Sequence, residues 1–212
     1  MLKKIRKLKK LTHKYRFYLI GIFFIILQFM LLYKYLYLAE FNNMLWFCSH
    51  APLLFGLAFF FKKIKIIKGL ISVGLIIQLI WIVDYLGKLL FGIYLIGTTD
   101  YMFLYQSTFF SYIVSVIEHF SSILALFLTY KYKPKKEIFY YSFFYLIIIL
   151  IFTLIFSSPE ENFNLVYNMI IFNEFTFTGY TFSWIFLAMI ILVLPTYYFQ
   201  LWLYKLSIRN KN

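Results

Sequence analysis

The chain has 212 residues, of which 63% are hydrophobic and 25% aromatic, and its mean hydropathy is +0.81. A soluble domain of this size cannot bury so much apolar surface, which excludes a water-soluble globular class. The net charge of +13 comes from cations at the ends of apolar segments, so the expected partner is membrane lipid and not nucleic acid.

Six apolar segments of about 18–22 residues follow one another, each long enough to cross about 30 Å of hydrocarbon as a helix. They are Phe17–Leu38, Met44–Phe61, Ile66–Tyr85, Phe109–Thr129, Ile138–Phe156 and Phe182–Leu203. Only helices satisfy their own backbone in lipid over such lengths, so we predict an all-α bundle of six transmembrane helices. This single domain, residues 17–204, lies between a basic tail (1–16) and a short tail (205–212).

The loops between these segments alternate between basic and nearly cation-free. All but Lys34 and Lys88 of the 21 Lys and Arg residues fall in the two tails and in the loops after the second and fourth segments, counting Lys68 just inside the third. The positive-inside rule therefore predicts a plasma-membrane protein with both termini in the cytoplasm. Lys34 is expected to extend its side chain toward the outer surface.

Two shorter apolar pieces lie in the predicted outer loops. Gly87–Gly97 has 11 residues, too few to span a bilayer, and indicates an extension of the third helix, a re-entrant turn or an interfacial helix. The pattern therefore leaves the structure of residues 87–108 open. Leu165–Asn173 indicates a second interfacial piece.

The fourth segment is the richest in polar residues. At 100° per residue, one stripe with His119 at its border collects Ser111, Ser115, Glu118, Ser122, Ala125 and Thr129. Because a carboxylate in mid-membrane is costly against lipid, the stripe is predicted to face the bundle interior. Close helix packing is an alternative explanation for the serines, but a weaker one for Glu118 beside His119.

The second segment contains WFCSHAP, residues 46–52, which includes Cys48, the chain's single cysteine. Cys48 and His50 point about 200° apart on a helix, so they are not expected to form a dyad with each other. Pro52 lacks the N–H that would bond the carbonyl of Cys48, which predicts a kink. An ordinary kink with a buried histidine and an inert cysteine is the alternative to a functional site.

The third segment ends in QLIWIVDYLGK, residues 78–88. Asp84 and Lys88 have the i, i+4 spacing of a structural ion pair, and the alternative is that Asp84 orients a histidine. Gln78 lies deeper and is expected to bridge helices. Trp46 and Trp81 suit the outer interface or the rim of a cavity.

We predict that these polar groups share one cavity in the outer half of the bilayer. The catalytic candidates are Cys48, His119 and His50, because a histidine near a thiol can act as general base. The supporting residues are Glu118, Asp84, Gln78, Ser115 and Ser122. No HExxH or comparable spacing is present, so the sequence predicts neither a metal nor another cofactor.

The motif WFCSHAP, followed by VIEHFSSILALFLTYKYKP and its basic loop, resembles the YwaF-type six-span integral membrane proteins over the second to fifth segments. That group is similar to the androgen-induced transmembrane hydrolases and the Cys/His transmembrane acyltransferases. In those enzymes a membrane-embedded nucleophile works with a histidine on acyl esters or phospholipids. The resemblance implies Cys48 as nucleophile and His119 as base.

Three function classes stay open from the sequence. The first is a membrane-embedded acyl hydrolase or acyltransferase. The second is a small transporter or proton-coupled carrier with Glu118 and His119 as a relay, although no inverted repeat supports it. The third is a non-catalytic scaffold in which the polar groups serve only helix packing.

Overall fold

The computed structural model describes residues 2–38, 40–104, 108–167 and 179–209, with the backbone alone for residues 2–14 and 104. These ranges are helical and contain no strand, which confirms the all-α class. The helices are α1 (Leu2–Tyr37), α2 (Phe47–Phe60), α3 (Ile64–Phe91), α4 (Asp100–Leu104), α5 (Phe109–His119), α6 (Ser121–Thr129), α7 (Ile138–Phe156), α8 (Tyr180–Ala188) and α9 (Leu194–Arg209). Between them lie the 3-10 helices Phe41–Leu45 and Phe163–Leu165 and the π-helix Met189–Val193.

Four helical stretches of the described chain are long and apolar enough to cross a membrane: Tyr15–Tyr37, Ile64–Phe91, Ile138–Phe156 and Tyr180–Arg209. A fifth is formed if α5 and α6, which are bent by 43° at their junction, make one span. The predicted second span is shorter than expected, because α2 has 14 residues and reaches about 21 Å. The described chain thus has four or five candidate spans, judged by length and composition, and a sixth crossing stays a prediction.

Helices α1 and α2 form an antiparallel hairpin whose backbones touch. A Cβ atom added at Gly21 would lie 2.9 Å from the carbonyl oxygen of Gly56 and 2.8 Å from the backbone nitrogen of Phe60. Small residues permit such approaches between helices, and dispersion contacts then stabilise the pair. The rings of Phe24 and Phe59 stack beside this contact, with centroids 5.6 Å apart.

One end of the bundle, which we name the basic end, gathers the part of α1 around Arg16, the turn between α2 and α3, and the loop between α6 and α7. Arg16 donates to the carbonyl of Leu128, and Phe17 packs on Tyr132. Lys65 pairs with Glu137 at 2.7 Å, and this ammonium holds the pKa of Glu137 below its ordinary value. The basic loops of the sequence therefore meet at one end.

At the opposite end of the bundle, Asn164 holds several elements together. Its side chain accepts from the N–H of Phe47 at the start of α2 and donates to the carbonyl of Leu45 and to the hydroxyl of Thr153. Its carbonyl accepts from the indole of Trp184. These bonds tie α2, α7 and α8 together and satisfy an N–H that the helix start leaves without a partner.

The segment after α3 folds back on that helix. Helix α3 extends to Phe91, where Gly92 ends it in a left-handed conformation (φ +72°), so the predicted extension of the third helix is correct up to that point. The carboxylate of Asp84 then accepts hydrogen bonds from the backbone N–H groups of residues 95, 96, 97 and 99 and from the hydroxyls of Thr98 and Thr99. The carboxylate of Asp84 therefore holds the loop of residues 95–99 in place.

The last span is continuous but irregular. The π-helix Met189–Val193 precedes Pro195, which has no N–H to give to the helix, and π-turns commonly accommodate such interruptions. The described part of the predicted interfacial piece, residues 165–167, follows the 3-10 helix Phe163–Leu165. Residues 168–173 lie outside the described residues.

Candidate functional site

Three of the predicted residues converge between α2 and α5. The Sγ atom of Cys48, a carboxylate oxygen of Glu118 and a ring nitrogen of His119 all lie within 4.8 Å of one another. Glu118 and His119 are buried, whereas Cys48 is half-buried. We name these three side chains the Cys–Glu–His cluster.

A chain of hydrogen bonds connects the cluster to α1. The hydroxyl of Ser49 donates to Oε1 of Glu118 at 2.9 Å, so it accepts from the hydroxyl of Tyr35 at 2.9 Å. The other carboxylate oxygen of Glu118, Oε2, is buried and has no hydrogen-bond partner among the described residues. One side of this carboxylate is thus anchored, and the other is available to a further group.

Helix α2 contains Pro52 next to a backbone pair that binds a glutamine from α1. The amide nitrogen of Gln28 donates to the carbonyl of Ser49 at 3.0 Å, and its oxygen accepts from the N–H of Leu53 at 3.0 Å. These are the two backbone groups that would bond each other in an unbroken helix. The Gln28 amide therefore bridges the backbone pair one residue past Cys48 and Pro52, and the kink itself stays a prediction.

The same arrangement recurs at the junction of α5 and α6. The amide oxygen of Gln78 accepts from the N–H of Ser122 at 2.8 Å, and its nitrogen faces the carbonyl of Glu118 at 3.5 Å and donates to the hydroxyl of Ser121 at 2.9 Å. Gln78 thus bridges helices, as its depth predicts. The Cys–Glu–His cluster therefore lies beside two backbone sites that bind a glutamine, one near Pro52 in α2 and one at the bend between α5 and α6.

The ring of His119 is held in one orientation. Its Nδ1 lies 2.8 Å from the carbonyl of Ser115, and because a carbonyl only accepts, Nδ1 carries the hydrogen. The lone pair of the neutral ring is then on Nε2. The indole of Trp81 stacks on this ring, with centroids 3.8 Å apart, and donates to the hydroxyl of Tyr101 at 3.2 Å. Trp81 is therefore a buried wall of the site.

Lys34 lies inside the bundle, which corrects the expectation that it extends to the outer surface. Its side chain is 6% exposed, and Nζ donates to the hydroxyl of Ser115 at 2.6 Å and lies 4.5 Å from the centroid of the Tyr35 ring. A polar acceptor and an aromatic face inside the bundle replace the water that snorkelling would reach. No carboxylate of the described chain lies within 4.0 Å of this ammonium.

His50 and Asp84 do not join the cluster. Nδ1 of His50 lies 3.1 Å from the carbonyl of Met44, and its ring packs on Phe47 and Tyr145. Asp84 is occupied by the loop that follows α3, so it neither pairs with Lys88 nor orients a histidine. The predicted ion pair is wrong: the ammonium of Lys88 donates to the carbonyl of Gly92, because the loop supplies Asp84 with better-placed donors.

The predicted polar stripe faces the interior, as expected. Its members are each at most 1% exposed: Ser111, Ser115, Glu118, Ser122, Ala125 and Thr129. Ser115 contacts both Lys34 and His119, whereas the hydroxyl of Ser122 is buried without a partner among the described residues. Ser115 therefore supports the cluster directly.

Four contributors escaped the sequence-based prediction: Gln28, Tyr35, Ser49 and Tyr101. Gln28 carried a usable signal, because an amide inside an apolar span is costly unless it has partners. Ser49 is common in helix contacts, and Tyr35 and Tyr101 are two of 20 tyrosines, so their roles follow only from the fold.

The cluster combines a thiol, a carboxylate and a neutral imidazole, a set that serves nucleophilic catalysis, proton transfer or metal ligation. No family model matches the chain, and no curated protein or solved structure is significantly similar to it. The resemblance to the YwaF-type proteins therefore stays a prediction, and the functional argument rests on the geometry.

Proposed function

We propose that the protein crosses the plasma membrane six times with both termini in the cytoplasm. The gathering of the basic loops at one end of the bundle supports this orientation. The 3-10 helix Phe41–Leu45 together with α2 would make the short sixth crossing. The test places single cysteines at Lys133 or Glu160 in a Cys48→Ser background and labels cells with an impermeant maleimide. Labelling at 160 alone is expected, and labelling of intact cells at 133 alone would contradict the orientation.

We propose further that the protein is a membrane-embedded acyl hydrolase or acyltransferase that acts on lipid acyl esters. The observation that carries this function is the convergence of Cys48 and His119, with the lone pair of His119 on Nε2. A thiol beside a histidine fixed through its other nitrogen has the composition of a cysteine nucleophile and its base. His50 has no role in this proposal.

The proposed reaction runs through a thioester. His119 takes the thiol proton as Sγ of Cys48 attacks the acyl carbonyl, and the ester C–O bond breaks as His119 protonates the departing alkoxide. Water or an acceptor hydroxyl then attacks the thioester and gives its proton to His119. The C–S bond breaks, the acid or new ester is released, and His119 returns the proton to the thiolate of Cys48. The carboxylate of Glu118, within 4.8 Å, stabilises the imidazolium that forms in both halves.

The single cysteine makes this intermediate easy to assign. Purified protein is incubated with vesicles of phospholipid that carries an alkyne-tagged acyl chain, and hydroxylamine-labile label on the protein is measured. Label is expected in the wild type and in His50→Asn, and its loss is expected in Cys48→Ala and His119→Asn. Wild-type protein without label, or full labelling of His119→Asn, would contradict the proposed function.

A second candidate, a proton-coupled carrier, is favoured by a different observation. The fourth predicted span is bent by 43° next to Glu118, and transporters often place charged or ion-binding groups at such helix breaks. In that case Glu118→Gln would abolish pH-driven solute uptake into proteoliposomes while Cys48→Ala would retain it. If conservative replacements change only thermal stability, neither function holds and the scaffold class remains.

A further inference from the structure

We propose that the Cys–Glu–His cluster binds a divalent cation of the zinc class. The three side chains offer one sulfur, one oxygen and one nitrogen atom, all within 4.8 Å of one another. Zinc accepts all three donor types, whereas magnesium and calcium require oxygen ligands, so the donor set selects the ion.

A second observation points to a ligand independently of the clustering. Oε2 of Glu118 is buried and lacks a partner in the described structure, while Oε1 is held by Ser49. An unpartnered carboxylate oxygen in an apolar interior is costly, and a cation beside it removes that cost. The hydroxyl of Ser49 then orients the carboxylate, as partners outside the metal's own ligands commonly do.

His119 is already arranged as a metal ligand. Its Nδ1–H donates to the carbonyl of Ser115, which leaves Nε2 as the coordinating atom, and metal-binding histidines usually donate their other N–H to such a group. Stacking on Trp81 keeps the ring in this plane. The histidine therefore needs neither a ring rotation nor a change of tautomer before the ion binds.

The geometry requires a modest contraction. Ligand atoms on a tetrahedral ion lie about 3.3–3.8 Å apart, given bonds of about 2.0–2.3 Å. The cluster, at up to 4.8 Å, must therefore close by about 1 Å, and the proposal requires the Cys48 and Glu118 side chains to rotate when the ion binds. Three protein ligands leave one position for water or another small group.

The charges favour a divalent ion, with one opposing contribution. Thiolate and carboxylate together carry two negative charges, which neutralise the ion in a medium where net charge is costly. The ammonium of Lys34, bonded to Ser115 nearby, opposes binding by repulsion. Removing that charge in Lys34→Met is therefore expected to tighten binding.

The ion also regulates the site, a consequence that rests on the proposed acyl transfer. It occupies Sγ of Cys48 and Nε2 of His119, the atoms that the nucleophile and its base must use. A metal-bound thiolate is not free to attack an ester, so stoichiometric Zn²⁺ is expected to suppress formation of the acyl thioester.

The test titrates full-length protein in detergent with Co²⁺ and follows the near-ultraviolet band of a thiolate–Co²⁺ bond. One equivalent is expected to produce the band and Zn²⁺ to displace the Co²⁺. Cys48→Ser is expected to abolish the band, and Glu118→Gln to weaken binding by about 100-fold. His50→Asn, which lies outside the cluster, is expected to bind as the wild type does. A wild type without the band, or equal loss in His50→Asn, would overturn the proposal.

Acyl labelling separates this proposal from the proposed function. Co²⁺ binding by a protein that never forms the thioester would support the metal site and contradict acyl transfer. Thioester formation without any Co²⁺ band would support acyl transfer and contradict the metal site. Thioester formation that saturating Zn²⁺ leaves unchanged, in a protein that binds Co²⁺, would overturn the regulatory consequence.

Discussion

The hydroxyl of Ser49 in α2 donates to the carboxylate of Glu118 in α5 at 2.9 Å and joins the two helices. Next to this bond, Gln28 from α1 bridges the backbone groups of Ser49 and Leu53, and Gln78 from α3 bridges those of Glu118 and Ser122. Polar groups inside a membrane protein are costly without partners, so such a junction is stable only if all its members are present. The site therefore depends on residues that take no part in chemistry.

Gln28→Leu is expected to destabilise the protein, because it leaves the carbonyl of Ser49 and the N–H of Leu53 without partners. Each unsatisfied buried group costs about 1–3 kcal/mol. Pro52→Ala allows that helix turn to close on itself, so the penalty of Gln28→Leu should shrink in the double variant. Thermal unfolding in detergent measures the cycle, and strict additivity of the two changes would refute the bridging role.

Asp84→Asn is expected to release the loop at residues 95–99. The NH2 group of asparagine is a hydrogen-bond donor, so it cannot accept from the N–H and O–H groups that surround the carboxylate. Limited proteolysis should then cut between Gly92 and Asp100 well before the wild type is cut. Lys88→Ala is the matched comparison, and it should change stability by no more than about 0.5 kcal/mol because the two residues form no ion pair. Equal effects of the two substitutions would contradict this prediction and support the Asp84–Lys88 ion pair that the spacing predicts.

The close contact of α1 and α2 predicts that side-chain size matters at Gly21. Alanine meets backbone atoms of Gly56 and Phe60 there, and leucine should destabilise the fold further, because backbone cannot move aside. At Gly92 a Cβ meets nothing within 4 Å, so both residues should cost only the left-handed strain of about 1–2 kcal/mol. Equal penalties for leucine at the two positions would disprove the close approach.

The Lys65–Glu137 pair at the basic end predicts a small pH effect. The neighbouring ammonium lowers the pKa of Glu137 in the folded protein, so the pair's stabilisation is present above the ordinary glutamate pKa and is lost as pH falls through the lowered value. Lys65→Met should return the carboxylate's titration toward its ordinary range. NMR titration of a 13C-labelled Glu137 carboxyl checks this, and an unchanged midpoint would argue against the pair.

The sequence predicted the class of fold and the inward face of the fourth segment, because hydrophobic length and helical period are local properties. It also identified Cys48, Glu118 and His119 as candidates, because burying ionisable or reactive groups in a membrane span costs free energy and such groups are commonly functional. These signals are readable from the chain without knowledge of which helices touch.

The partners of these groups could not be predicted in the same way. Asp84 and Lys88 have ideal helical spacing, but the loop that follows α3 folds back and gives Asp84 better-placed donors. Lys34 could have reached the surface, but the hydroxyl of Ser115 and the ring of Tyr35 hold its ammonium inside. Contacts between separate helices decide such cases, and helical period carries no information about them.

The central claim is that positions 48 and 119 face each other in one site. A His119→Cys variant, carrying Cys48 as its only other thiol, is treated with a short bifunctional methanethiosulfonate and analysed by mass spectrometry. Phe120→Cys, whose ring in the wild type is 40% exposed, is the neighbouring comparison. The account predicts an intramolecular cross-link at 119 and little at 120, whereas equal or preferential cross-linking at 120 would contradict it.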